Sequence, residues 1–378
     1  MSGKRPGAMR PTKASLAKAK MDSGIGSSAG LRSPTLATTY GASAKTNEHD
    51  FEEMVLNPRG IHIDDSTKSV LATFHFEVDE ARNLSGLSEI TLWLDADESF
   101  IIDIVREYES MGEYSLNEAE HATYAIETLL KREIRNARLP KTRQWMAERM
   151  IQLVAKPEKQ WEQPPVLDRT VPHKPCNFDI RPDCSYWVSL QAFNPVYRKT
   201  VGEYVSVRKD RILCPYLTIE FKKDDSTLRK ARNQVAIASA LALYNRWKLK
   251  KDRLDAVKKP WSERHEKVLK HYGLTFTGRN YEFWCIEPTL DSQGGWIGCR
   301  MYRLAQNACE SREGVSWFVN WVNEIHRWGL TVHGPSCERD IKYCINSTPG
   351  AVCTSLGMEG EGGFVDSEDE AEDEAEAL

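Results

Sequence analysis

The sequence predicts an α/β fold, a mixed central β-sheet flanked by helices. Three observations carry that prediction. Short apolar runs of strand character recur at 184–193, 216–222, 281–290 and 295–305. A long stretch of helical periodicity, 228–249, separates the second run from the third. An amphipathic, tryptophan-bearing stretch at 314–330 follows the last.

Residues 1–47 are rich in Lys, Arg, Ser, Ala, Gly and Thr and almost free of large apolar side chains. Such a segment cannot offset its ordering entropy, so a disordered basic tail is expected. Its composition suits a nuclear import signal, a loose phosphate-binding arm or a solvated tail with no address. One folded domain is expected over 48–350. Asn57-Pro58-Arg59-Gly60 punctuates a short helix and an extended piece. The runs at 72–78 and 90–97 then lead into a helical stretch at 101–112, and this region reads as a helical N-terminal extension.

From 116 to 155 the pattern is helical, with Ala122, Ile126, Leu129, Leu130, Ile134 and Ala137 at three- and four-residue steps. Pro140 divides it, so 142–155 forms a second helix. Four prolines make 161–175 an extended connection. A strand at 184–193, a hairpin-like return at 204–207, a strand at 216–222 and the helix at 228–249 come next. A charged helix ends near 272, and Gly294-Gly295 turns a hairpin between the last two strands. The amphipathic helix closes the domain. Residues 351–378 form a disordered tail whose last twenty positions carry ten acids and no base. It suits solubility or docking of a protein partner.

Composition narrows the class. At 40% hydrophobic residues and 11 Trp the chain can bury a full core, and the opposite charges of the two tails nearly cancel. Nine cysteines without a CxxC pair, and no apolar run of membrane-spanning length, predict a reduced intracellular protein with no membrane association. The tails favour the nucleus over the cytoplasm. His173 and Cys176 make a lone HxxC, half of what a structural zinc needs.

The chemistry centres on Glu220-Phe221-Lys222. Strand residues alternate faces, so Leu217, Ile219 and Phe221 share one side and Thr218, Glu220 and Lys222 the other. Phosphodiester hydrolysis needs an activated water and neutralisation of charge on phosphate oxygens, and a hard divalent cation does both. Asp183, after Pro182 at the start of the earlier strand, and Glu220 are the carboxylates placed to hold it. The Phe221 carbonyl would be a further ligand, and Lys222 the group expected to orient water or steady negative charge. A Glu-x-Lys triplet alone is weak, because a solvated strand face produces it too. The competing triplet, Asp340-Ile341-Lys342, follows no strand-like run.

Pro182-Asp183, then Glu220-x-Lys222, then a helix bearing Gln234 resemble in their order the PD-(D/E)xK nuclease superfamily. The segments VLNPRGI, CPYLTIEFKK and NQVAIASALALYNR are similar to a group of fungal proteins assigned a PD-(D/E)xK nuclease-like domain. The likeness spans residues 51–344. It implies a restriction-endonuclease-like core and Mg²⁺- or Mn²⁺-dependent hydrolysis of DNA or RNA. Asp183 and Glu220 would be metal ligands, with Lys222 and Gln234 in the catalytic set. Gln234 reads equally as a satisfied core amide. Tyr244 lies ten residues beyond it, where the superfamily often places a tyrosine at four, and reads as packing. Glu133 is either a snorkelling residue at the edge of its stripe or an extra carboxylate from the first helix. Arg229, Lys230, Arg232, Arg246, Lys248, Lys250, Lys251 and Arg253, with Trp247, are candidate phosphate and base contacts. Two other classes stay open: a non-catalytic nucleic-acid or protein-binding module on the nuclease fold, and an interaction protein whose tails do the work. No nucleophile motif beside a His/Asp pair favours acyl transfer.

Overall fold

The computed structural model describes residues 43–67, 87–88, 90–95, 97–134, 147–158 and 160–347. Both tail predictions fall largely outside these residues. The chain is already engaged at 43–47: Ala44 N–H donates to the Pro175 carbonyl, and Thr46 O accepts from the Asn233 amide.

Seven strands among the described residues form one sheet: β1 (Ile61–Thr67), β2 (Ala147–Ile151), β3 (Cys184–Ser189), β4 (Ile212–Lys222), β5 (His271–Thr277), β6 (Asn280–Leu290) and β7 (Trp296–Ala308). Their order is β1-β7-β6-β5-β4-β3-β2. β1/β7 and β4/β5 are parallel and the other pairs antiparallel, so the sheet is mixed. The helices are α1 (Glu98–Glu113), α2 (Glu118–Thr128), α3 (Leu228–Ala256), α4 (Glu263–Lys267), α5 (Arg312–Trp328) and α6 (Gly334–Ser347). The fold is α/β, a mixed sheet flanked by helices.

A parallel pair cannot be joined by a tight turn, so the chain leaves β4 through α3 and returns as β5. One sheet face packs Leu217, Ile219 and Phe221 of β4 against Phe276, Tyr281 and residues of α1 and α5, among them Tyr108, Phe318 and Trp321. The other packs Trp187, Trp284 and Met301 under Val235, Ala236, Ala240 and Leu241 of α3. Thr218, Glu220 and Lys222 therefore point to the α3 side. The helix sits close because Gly273 has no side chain: a Cβ there would lie 2.4 Å from Val235 Cγ1. Gly273→Ala is expected to push α3 off β5 at a cost of about 1–3 kcal/mol, read as a lower denaturation midpoint.

Several expectations are corrected. The helix expected from 116 ends at Thr128, because Arg149 from β2 donates to the carbonyls of Ile126 and Leu130 and closes the last turn. The predicted helix at 142–155 is instead β2, with residues 142–146 outside the described set. Its Ala-Glu-Arg-Met composition favours helix, but pairing of all five of its residues with β3 outweighs a few tenths of a kcal/mol per residue. The return expected at 204–207 is a 3₁₀ turn at Val201–Glu203, and β4 begins at Ile212. The charged helix near 272 is the five-residue α4, and the next seven-residue element is the central strand β5. The domain closes on α6 rather than α5.

Candidate active site

The site forms where β3 begins and β4 ends. Antiparallel pairing of Cys184 with Ile219 sets Asp183, the residue before β3, opposite Glu220. Directly opposed residues share a face, so both carboxylates lie on the α3 side. Asp183 Oδ2 accepts from the Phe221 N–H at 2.8 Å, which fixes the carboxylate against the end of β4. Lys222, two residues past Glu220, returns to the same face. Its Nζ lies 3.2 Å from Glu220 Oε2, 2.5 Å from the Phe221 carbonyl oxygen and 3.7 Å from Asp183 Oδ2. Two carboxylates, a backbone carbonyl and an ammonium thus converge.

Exposure shows which way the site opens. The Glu220 side chain is 1% exposed and that of Lys222 8%, while Asp183 is 29% exposed. Asp183 is the door and Glu220 the floor. Burial first, and the neighbouring Asp183 second, push the Glu220 carboxyl well above the usual carboxylate range, against the pull of Lys222. Glu220 Oε1 is buried and has no hydrogen-bond partner among the described residues. A deeply buried carboxylate with an unused oxygen, beside a second carboxylate and a backbone carbonyl that accepts only from Lys222 among the described side chains, is a donor set that could hold a hard oxygen-seeking cation. Mg²⁺ and Mn²⁺ fit it, since such ions take one or two carboxylates and fill their remaining positions with water and substrate oxygens. No larger group of three or more His, Cys, Asp or Glu side chains forms a metal cage among the described residues. His173 is exposed and Cys176 buried, so the HxxC pair does not make one.

Gln234 is on α3, half-buried, and its Oε1 is buried without a partner among the described residues. No hydrogen bond joins it to Asp183, Glu220 or Lys222, so the structure does not bring it into their network. Its neighbour Arg232 faces the sheet and donates to both oxygens of Glu282, at 2.9 and 2.7 Å. The register aligns Glu220, Thr275 and Glu282 across three strands. Thr275 Oγ1 donates to Glu282 at 3.2 Å, and Arg303 approaches the same carboxylate at 3.1 Å. Thr275 and Glu282 extend the polar row from the site. Sequence reasoning missed this row because β5, which connects its ends, was not recognised; the alternating Thr275 and Thr277 were the available signal.

The expected phosphate-contacting cations are mostly engaged elsewhere. Arg246, Lys250 and Arg253 are buried and surround Asp340 at 2.6, 2.8 and 3.7 Å. Arg232 is tied to Glu282 and Asp65, Lys248 to Glu162 and Lys251 to Asp255. Asp340-Ile341-Lys342 lies within α6 and is no strand triplet. Trp247 donates to the Gly294 carbonyl and packs on Tyr244 and Trp296, a packing role for both aromatic residues. Glu133 lies beyond α2, and its carboxylate accepts from the Thr91 N–H and hydroxyl. Lys223, Arg229 and Lys230, just after the site, are exposed. No protein-family model, curated protein or solved structure matches this chain. No described helix is long and apolar enough to cross a membrane.

Proposed function

We propose that this protein is a metal-dependent nuclease with a restriction-endonuclease-like, PD-(D/E)xK-type core. The observation that carries the reading is the convergence of Asp183, Glu220, the Phe221 carbonyl and Lys222 at adjacent strand ends on the face covered by the following helix. Asp183, Glu220 and the Phe221 carbonyl would hold Mg²⁺ or Mn²⁺. A cation bound there neutralises charge on the phosphate oxygens. Lys222, held beside both carboxylates, orients the attacking water and steadies the negative charge of the transition state. Asp183, the exposed member, meets the substrate side. Lys223, Arg229 and Lys230 closely follow Lys222 in sequence and supply phosphate contacts for DNA or RNA. Gln234 supports the site from α3 once its free oxygen accepts from water or substrate. The tails favour a nuclear location, and the acidic one suits a protein partner.

The burial of Arg246, Lys250 and Arg253, which removes them as phosphate contacts, favours a second reading, a protein-binding module that keeps the fold without the chemistry. Metal binding separates the two. At 100 times its dissociation constant, Mn²⁺ is expected to stabilise the wild-type protein by about 2.7 kcal/mol, read as a rise in melting temperature. Glu220→Gln, which keeps the shape and removes the charge, is expected to lose that rise. An equal rise in both proteins would contradict the proposed ligand set.

A further inference from the structure

A second buried cluster of reactive side chains lies at the opposite end of β4. Pairing shifts between Trp187↔Pro215 and Val188↔Leu213, which leaves Cys214 in a bulge at φ +44°. That is a left-handed conformation a non-glycine residue adopts only where the surroundings hold it. Cys337 of α6 lies beside Cys214, since a single atom, His333 Nε2, contacts both residues. His333 Nε2 lies 3.1 Å from the Cys214 carbonyl oxygen and 3.6 Å from Cys337 Sγ. Behind the pair, Arg246, Lys250 and Arg253 are buried with one carboxylate, Asp340, among them. Buried cations in excess of buried anions favour ionisation of whatever acid stands beside them. Cys337 is that acid. Burial opposes its ionisation, but the neighbouring Cys214, His333 and Arg246 hold it well below the ordinary thiol value, while the same pairing and burial push the Cys214 thiol up.

The pair is also reachable, through Cys214. Cys214, with Tyr204, Ser206, Arg246 and Lys248, lines a cavity of about 220 Å³, several times the ~30 Å³ share of a water molecule. We propose that Cys214 and Cys337 form a redox-active dithiol, a modification site at which hydrogen peroxide entering this cavity joins β4 to α6 through a disulfide. The Cys337 thiolate takes the Cys214 proton as the Cys214 sulfur attacks one peroxide oxygen; the O–O bond breaks, and the departing hydroxide takes that proton on as water, leaving a Cys214 sulfenic acid and Cys337 again a thiolate. The Cys337 thiolate then attacks Cys214 Sγ, forms the S–S bond and displaces hydroxide, which takes up the proton Cys337 had released and leaves as a second water. Two thiols are oxidised, and one peroxide is reduced to two waters.

Peptide mapping without reductant tests this on the full-length protein. The reduced protein is exposed to hydrogen peroxide, denatured, alkylated and digested with trypsin, which separates Cys337 from Cys344 at Arg339 and Lys342. The expected product is the peptide of Cys214 joined to that of Cys337, about 2 Da lighter than the two thiol peptides together and released by dithiothreitol. Cys214→Ser is expected to remove it and to leave Cys337 unlinked. Recovery of Cys214 and Cys337 both alkylated after peroxide, or linkage of Cys214 to Cys344 instead, would overturn the proposal. The wild-type digest decides it even if the variant does not fold.

Discussion

Asp340→Ala is expected to destabilise the fold by about 3–5 kcal/mol, the size seen when one partner of a buried ion pair is removed. Asp340 is fully buried on α6 and meets Arg246, Lys250 and Arg253 of α3, and Ser336 Oγ accepts from Arg246 at 2.6 Å and from Lys250 at 3.4 Å. The three positive charges hold its carboxyl below the usual range even though burial works the other way. Without Asp340 those cations would stay desolvated with no carboxylate between them. Urea unfolding monitored by tryptophan fluorescence reads the loss directly. Replacing Lys250 with Met in the Asp340→Ala background is expected to recover part of it, because one uncompensated charge goes too. Equal midpoints for wild type and Asp340→Ala would mean that the cluster does not hold α6 to α3.

Lys222→Met is expected to lower metal-dependent cleavage about 10²–10³-fold, the usual effect of removing one group aimed at transition-state charge. The methionine keeps most of the lysine's length, and Lys222 is buried, so packing changes little. The ammonium contacts Glu220 Oε2 and the Phe221 carbonyl, both proposed metal ligands. Its removal is therefore expected to leave Mn²⁺ affinity unchanged or raised while turnover falls. That split between binding and rate separates a catalytic lysine from one that only balances Glu220. Parallel losses of both would assign Lys222 a structural role.

What could be read from the residues was local. β3, β4, α3 and α5 announce themselves through alternation or helical spacing, and Asp183, Glu220 and Lys222 sit at ends of elements recognised that way. What could not be read depended on partners far along the chain. The segment around Met150 has helical composition, and only the open edge of β3 makes it a strand. His271–Thr277 contains a glycine that weakens a strand on its own, yet that glycine is what admits Val235 of α3. The same reason explains the basic residues of α3. A run of Arg and Lys reads as a phosphate-binding face until Asp340, some ninety positions later, turns three of them inward. Gln234 marks the limit: its position on α3 was legible, its unpaired oxygen was not.

The most direct test of the central claim is cleavage of labelled single- and double-stranded DNA and RNA by the purified protein in Mg²⁺ or Mn²⁺, with EDTA as the control. Cleavage that requires the metal, stops in EDTA and disappears in Asp183→Asn and Glu220→Gln variants that still fold is the predicted result. Cleavage that persists in those variants, or folded wild-type protein that cuts none of the four substrates with either metal, would contradict it.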